Sequence, residues 1–151
     1  MKNLIILFLI VTSISCSEQK EIFRISTLEI TIEEDTTSLR LDKKGLIYQN
    51  EIAVGKLEQN RVTDIKGNEI FSFNERFIVV DVNKDTIEDL SNKYIGLNDK
   101  FLGAFKWSSA GDIESEDGTK LGIQLTPNDT TLYRTASLIL HYGQYLRNKN
   151  N

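Results

Sequence analysis

This chain of 151 residues has only one cysteine, one histidine, one proline and one tryptophan, and each shortage closes off some chemistry. A single cysteine allows no internal disulfide. One histidine, His141, with no second thiol excludes most zinc sites, which draw on several such ligands. Nucleophilic hydrolysis needs an oriented base beside its nucleophile, and no Gly-x-Ser-x-Gly turn occurs. Positive charge is also short. Lys and Arg number 18 against 22 Asp and Glu, a net of −4. That balance argues against a nucleic-acid partner and gives no polybasic help toward anionic lipid. The apolar run at residues 4–11 is too short to span a bilayer as a helix.

What the chain does have begins at its amino end. Lys2 supplies a positive start, residues 4–11 are unbroken Leu, Ile, Phe and Val, and Thr12, Ser13, Ile14 and Ser15 lead up to Cys16. Positive, apolar and small in that order is the pattern of a secretory signal. Ending the small stretch on cysteine makes it resemble the lipobox of bacterial lipoproteins, with Ser13 where that family prefers Leu. The resemblance implies cleavage before Cys16, diacylglycerol on its thiol and acylation, including palmitate, on its new amine. Cys16 is otherwise a free thiol or a core residue, and its position after the apolar run favours lipidation. Several acyl chains would hold the protein stably, where one would bind reversibly. The expected division is a signal peptide at 1–15, a lipidated cysteine and short tether at 16–21, and one domain over 22–151. The mature part, about 135 residues, suffices for a single core and carries a net of −5 once Lys2 is removed.

Periodicity makes most of that domain β-structure. Leu28, Ile30 and Ile32 alternate with Glu29 and Thr31, and Leu39 and Leu41 mark a second short strand. From Leu46 a weak repeat of strand, polar turn and strand recurs five times across residues 46–125. Its first strands are centred on Ile47, Val62, Val79, Ile95 and Ile113, and its second on Val54, Ile70, Ile87, Leu102 and Leu121. The turns carry Asn, Asp or Gly, which accept positive φ or cap their own backbone. Three second strands run into glycine, at Val54-Gly55, Leu102-Gly103 and Leu121-Gly122. Glycine inside a strand marks a bend or a close backbone approach. Five short antiparallel hairpins in a radial array meet this pattern; the alternative is an ordinary meander, barrel or sandwich, and a simple meander would not require the glycines.

Those aliphatic-Gly steps, with the turns Asp64-Ile65-Lys66-Gly67-Asn68 and Glu116-Asp117-Gly118-Thr119, resemble the five-fold β-flower family of small bacterial domains. The apolar stretch Ala136-Ser137-Leu138-Ile139-Leu140 is similar to the hydrophobic end expected after the last hairpin. The likeness covers about residues 46–146, and Ile70-Phe71 and Ile87-Glu88 depart from it by lacking the glycine. It implies five hairpins about a pseudo-symmetric axis and carries no general activity.

One α-helix closes the chain, expected over about 129–147, with Asn128, Asp129 or Thr130 as its cap after Pro127. Leu132, Ala136, Ile139, Gly143 and Leu146 share a face, and Tyr133, Leu138, Leu140, Tyr142 and Tyr145 make the helix apolar around more than one. The helix either seals the hairpin array or offers a docking surface, and His141 reads as a structural residue within it. Asp81-x-Asn83-x-Asp85 has calcium-loop spacing, but Thr86 stands where an EF-hand needs glycine, and a hairpin turn explains the same residues. The carboxylates Glu33-Glu34-Asp35 and Glu114, Glu116 and Asp117 read as turn charges and not as a glycosidase pair. Trp107, beside Ser108-Ser109-Ala110-Gly111, is the best recognition candidate with Tyr94, although the edge of a small core is the favoured place for it. No metal, cofactor or catalytic residue is expected.

The sequence therefore leads to an exported protein anchored through Cys16 to a bacterial membrane, with the outer membrane expected. Its domain reads as a non-catalytic structural or interaction module with an envelope protein partner. The other reading is a module that binds an envelope glycan or small ligand through Trp107 and Tyr94.

Overall fold

The structure, a computed structural model, describes residues 22–34, 36–91, 94–95 and 105–149. Cys16, Asp35 and the Leu102-Gly103 step lie outside that part. The domain is mostly β, with twelve strands in one antiparallel sheet and a C-terminal helix. The strands are β1 (Leu28–Ile32), β2 (Thr37–Leu41), β3 (Leu46–Gln49), β4 (Ile52–Leu57), β5 (Arg61–Asp64), β6 (Glu69–Phe73), β7 (Ile78–Asp81), β8 (Thr86–Asp89), β9 (Tyr94–Ile95), β10 (Phe105–Trp107), β11 (Asp112–Ser115) and β12 (Lys120–Thr126). The alternation read at Leu28 and Ile30 is real, since both are fully buried in β1.

The order across the sheet is β8-β7-β6-β5-β4-β3-β2-β1-β12-β11-β10-β9. The first eight strands form a meander, and the chain then returns from the far edge so that β12 pairs with β1. The strands β1 and β2 therefore belong to the same sheet and sit at its centre, with Ile30 opposite Leu39 on one side and Leu125 on the other. A flat sheet of twelve strands would be about 53 Å across at the usual strand spacing. Yet its two outermost strands, β8 and β9, are joined by only four residues, which limits the gap between Asp89 and Tyr94 to about 18 Å. The sheet is thus strongly curled. It is not a closed barrel, because β8 and β9 do not pair among the described residues.

One tight turn recurs at the strand junctions. The amide of Gly45, Gly67, Phe77, Lys84, Gly111 or Gly118 donates to the carbonyl three residues earlier, and each of these six residues has positive φ. In five cases a polar side chain caps the loop. Asp42, Asp64, Asn74, Asp81 and Ser108 each accept from amides two and four residues ahead. This is the geometry of a short loop with a left-handed residue at its end. The β3–β4 hairpin differs, turning on Asn50 and Glu51, both left-handed.

The curled sheet is filled by α1 (Tyr133–Lys149), preceded by a 3-10 turn at Thr130–Leu132. Asp129 is the cap, accepting from the Thr131 amide at 2.9 Å and pairing with Arg24. Every residue from Thr135 to Tyr142 is buried. Two full turns without an exposed side chain require protein on all sides of the helix. It gets that contact around its circumference. Tyr142 Oη donates to the Val54 carbonyl of β4, Thr135 Oγ1 to the Arg24 carbonyl, and Tyr133 Oη to the Ser108 carbonyl after β10. Arg134 donates to the carbonyls of Leu90 and Ser91 just past β8 and lies 4.1 Å from the Phe77 ring centroid. Burying Leu138, Ile139, Leu140 and Tyr142 stabilises the fold by about 1.5–3 kcal/mol each. The helix is therefore a core element over these turns, more deeply placed than a seal over an open end.

Candidate functional site

Past Tyr142 the helix emerges. Residues 143–146 are half-buried and 147–149 exposed, and a cavity opens on either side of Gln144.

The first is a cleft of about 380 Å³ between the helix, β12 and the β1–β2 hairpin. Its apolar lining comes from Ile32, Leu39, Leu121, Ile123 and Leu140. Two glycines shape it. Gly143 lets the helix come close to β2, since a Cβ there would lie 2.6 Å from Leu39 Cδ1. Gly122 has positive φ (65°), and its carbonyl accepts from the Glu33 amide at 2.9 Å, which ties β12 to the β1–β2 turn. Charges of both signs line the rim: Glu33 and Glu34 from the turn, Lys120 from β12 and Arg147 from the helix. Lys120 pairs with Asp112 at 2.7 Å, and this hydrogen bond, with the nearby Glu114 and Glu33 carboxylates, pushes its ammonium pKa up. Among the described residues no aromatic side chain lines the cleft. An aliphatic floor under a mixed-charge rim suits a small amphipathic molecule better than a sugar, which stacks on aromatic rings.

The second opening is a groove of about 650 Å³ between the last turns of α1 and β6–β8. Ile70, Phe71, Ile87 and Tyr145 give it apolar walls, and Asp64, Glu69 and Asp81 face it as carboxylates. Hydrogen bonds from Asn68 and the Lys66 amide hold the Asp64 carboxyl below its ordinary pKa.

His141 lines this groove at 6 % exposure. Its Nε2 lies 3.5 Å from Glu88 Oε2 but has no hydrogen-bond partner among the described residues. Burial pushes the imidazole down to about 4, so it is neutral at pH 7.

The recognition candidates read from the sequence land elsewhere. Trp107 is in the core. Only 4 % exposed, it stacks on Tyr133 at 5.4 Å and donates from Nε1 to Ser137 Oγ at 3.0 Å. Both its face and its N–H are engaged, which leaves no platform for a ligand. The backbone of Tyr94 pairs with Lys106 across β9 and β10, while its side chain lies outside the described residues. Asp81 Oδ1 is taken up by the amides of Asn83 and Asp85, in the turn. Asp117 bonds the Thr119 amide, and its hydrogen bonds with Ser115 and Thr119 hold its carboxyl at about 2.

Of the sequence-selected charges, Glu33 and Glu34 reach the lip of the cleft and Asp81 the wall of the groove. Arg147 and Gly143 were legible only as helix residues, and their cleft depends on the pairing of β12 with β1. Among the described residues no cluster of three or more His, Cys, Asp or Glu could hold a metal ion. None of the described helices is long and apolar enough to cross a membrane. No protein-family model, curated protein or solved structure matches the chain.

Proposed function

We propose that this chain is an exported lipoprotein, tethered to a bacterial membrane through Cys16, whose domain is a non-catalytic binding module. Its ligand is a small zwitterion with an aliphatic body, taken up in the cleft between α1, β12 and the β1–β2 turn. The observation that carries this reading is the cleft itself, about 380 Å³ of aliphatic floor rimmed by Glu33, Glu34, Lys120 and Arg147. Its volume falls within the range of small-molecule sites, and its opposed charges suit a ligand bearing an amine and a carboxylate. The lipid anchor rests on the order Lys2, residues 4–11 and Cys16. On this reading the domain sits close to its membrane, because the tether is only residues 16–21.

Titration of the natively processed protein in detergent micelles with leucylglycine, followed by amide shifts, tests the proposal. Shifts should gather at Thr37, Gly122, Gly143 and Gln144. N-acetyl-leucinamide, which lacks both charges, should bind at least tenfold more weakly, as should leucylglycine to the Glu34→Gln/Arg147→Gln protein. Equal binding of the charged and uncharged compounds, or no shifts along the cleft, would refute the assignment.

A further inference from the structure

The groove on the opposite side of Gln144 has a different chemistry, and it stands independently of the cleft reading. Carboxylates prevail on its walls, with Asp64, Glu69 and Asp81 against Lys149. Lys84 reaches Glu69 at 3.6 Å from the β7–β8 turn and offsets one of them. The lining helix segment is the carboxyl-terminal end of α1, where unpaired carbonyls present partial negative charge. Aromatic surface is present as well. Phe71 and Tyr145 meet edge to face at 5.8 Å, and the Lys149 ammonium already lies 5.9 Å from the Tyr145 ring centroid. The groove thus holds one cation of its own, in the arrangement by which aromatic faces attract ammonium groups.

Two further features make this more than an acidic surface. Exposed Val82 and Ile87 continue the apolar wall out to solvent. At the inner end, His141 is 94 % buried, and its Nε2 lacks a hydrogen-bond partner among the described residues. A buried ring nitrogen without a partner loses the hydrogen bond it would have in water. As the acceptor tautomer it would be satisfied by an incoming N–H donor, with the Glu88 carboxylate 3.5 Å away to hold the positive charge.

We infer that this groove binds an organic ammonium ion with a short apolar body. The alkyl part lies on Phe71, Tyr145 and Ile87, and the N–H donors point toward the carboxylates and His141. A primary amine fits the arrangement, whereas an anion meets repulsion and a neutral alcohol gains only the apolar contact.

n-Butylammonium chloride is the probe, with n-butanol and sodium butyrate as isosteric controls, titrated into the natively processed, isotope-labelled protein. Shifts should appear at Phe71, Ile87 and Tyr145 and at the His141 ring nitrogens, a signature that screening of surface charge would not produce. Butylammonium should bind at least tenfold more tightly than butanol, and butyrate should not bind. Asp64→Asn/Asp81→Asn keeps the turn-capping oxygens and should weaken the amine about tenfold. Lys149→Gln, which removes the internal competitor, should strengthen it several-fold. Comparable binding of amine and alcohol, unmoved His141 nitrogens, or shifts confined to Thr37, Gly122 and Gly143 would overturn the assignment. Because leucylglycine reports on the cleft and butylammonium on the groove, either site can fail while the other stands.

Discussion

The first ten residues of α1 and its last seven are one continuous helix with two different tasks. From Tyr133 to Tyr142 only Arg134 is exposed, and the side chains fill a curled sheet. From Gly143 to Lys149 the same helix is half-exposed and lines both cavities. The change falls where Tyr142, fully buried and bonded to the Val54 carbonyl, gives way to Gly143, which has no side chain to fill the space beside Leu39. A core element thus becomes a binding element without any break in the backbone. Rigidity is supplied by the first part and recognition by the second, an arrangement that holds a site more firmly than a loop does.

Glycine substitutions should separate the two regions most sharply. At Gly55 a Cβ would lie 2.5 Å from the Thr63 carbonyl oxygen and closer still to Tyr142 Oη. Backbone cannot yield as a side-chain end can, so Gly55→Ala should destabilise by about 3 kcal/mol in denaturant unfolding. At Gly143 the new methyl meets only the flexible end of Leu39, and alanine is about 1 kcal/mol the better helix former. Gly143→Ala should therefore leave stability within about 1 kcal/mol of the parent while narrowing the cleft. Equal losses at both positions would erase the distinction.

A smaller effect should come from acid. His141 falls from 6.5 to about 4 because of burial. Between those values the unfolded chain binds the proton that the native helix refuses, so stability rises with pH across that window. The contribution is complete above about 6.5 and lost as pH falls toward 4, by up to about 3 kcal/mol less whatever Glu88 returns by stabilising the charged ring. Lowered carboxylates such as Asp64, Asp117 and Asp129 act further down, since their stabilisation is lost only as pH drops below their ordinary value of 3.8. Unfolding free energy measured from pH 7 to 4 should fall in the parent and stay flatter in His141→Phe. Identical profiles would place the imidazole in contact with solvent.

Much of the fold was legible because its signals are local. Alternation at Leu28 and Ile30 and turn residues such as Asp64-x-x-Gly67 announce strands and hairpins over a few positions. The strand partners β3–β4, β5–β6, β7–β8 and β11–β12 pair as the turns between them require. What could not be read is long-range. The pairing of β12 with β1 joins residues about ninety apart, and it alone puts Glu33 beside Gly122. Helical periodicity put Leu132, Ala136 and Ile139 on one face, with Leu138, Leu140 and Tyr142 making the helix apolar around more than one. It could not reveal that Ser137 and His141 are buried too, because a surrounding sheet covers polar and apolar sides alike. Trp107 offered two readings, and the favoured one, a core edge, is where it sits. The small residues that follow it suggest an exposed loop, whereas Ser108 forms a tight turn and the indole meets Tyr133 and Ser137 inside.

The division of α1 can be tested most directly by native-state hydrogen exchange along it. Amides of Leu138, Ile139, Leu140 and Tyr142 should exchange only by global unfolding and share its free energy. Those of Arg147, Asn148 and Lys149 should open locally at distinctly lower free energy. Uniform protection along the whole helix, or early exchange at Leu138, would contradict a sealed core segment that continues into an exposed binding end.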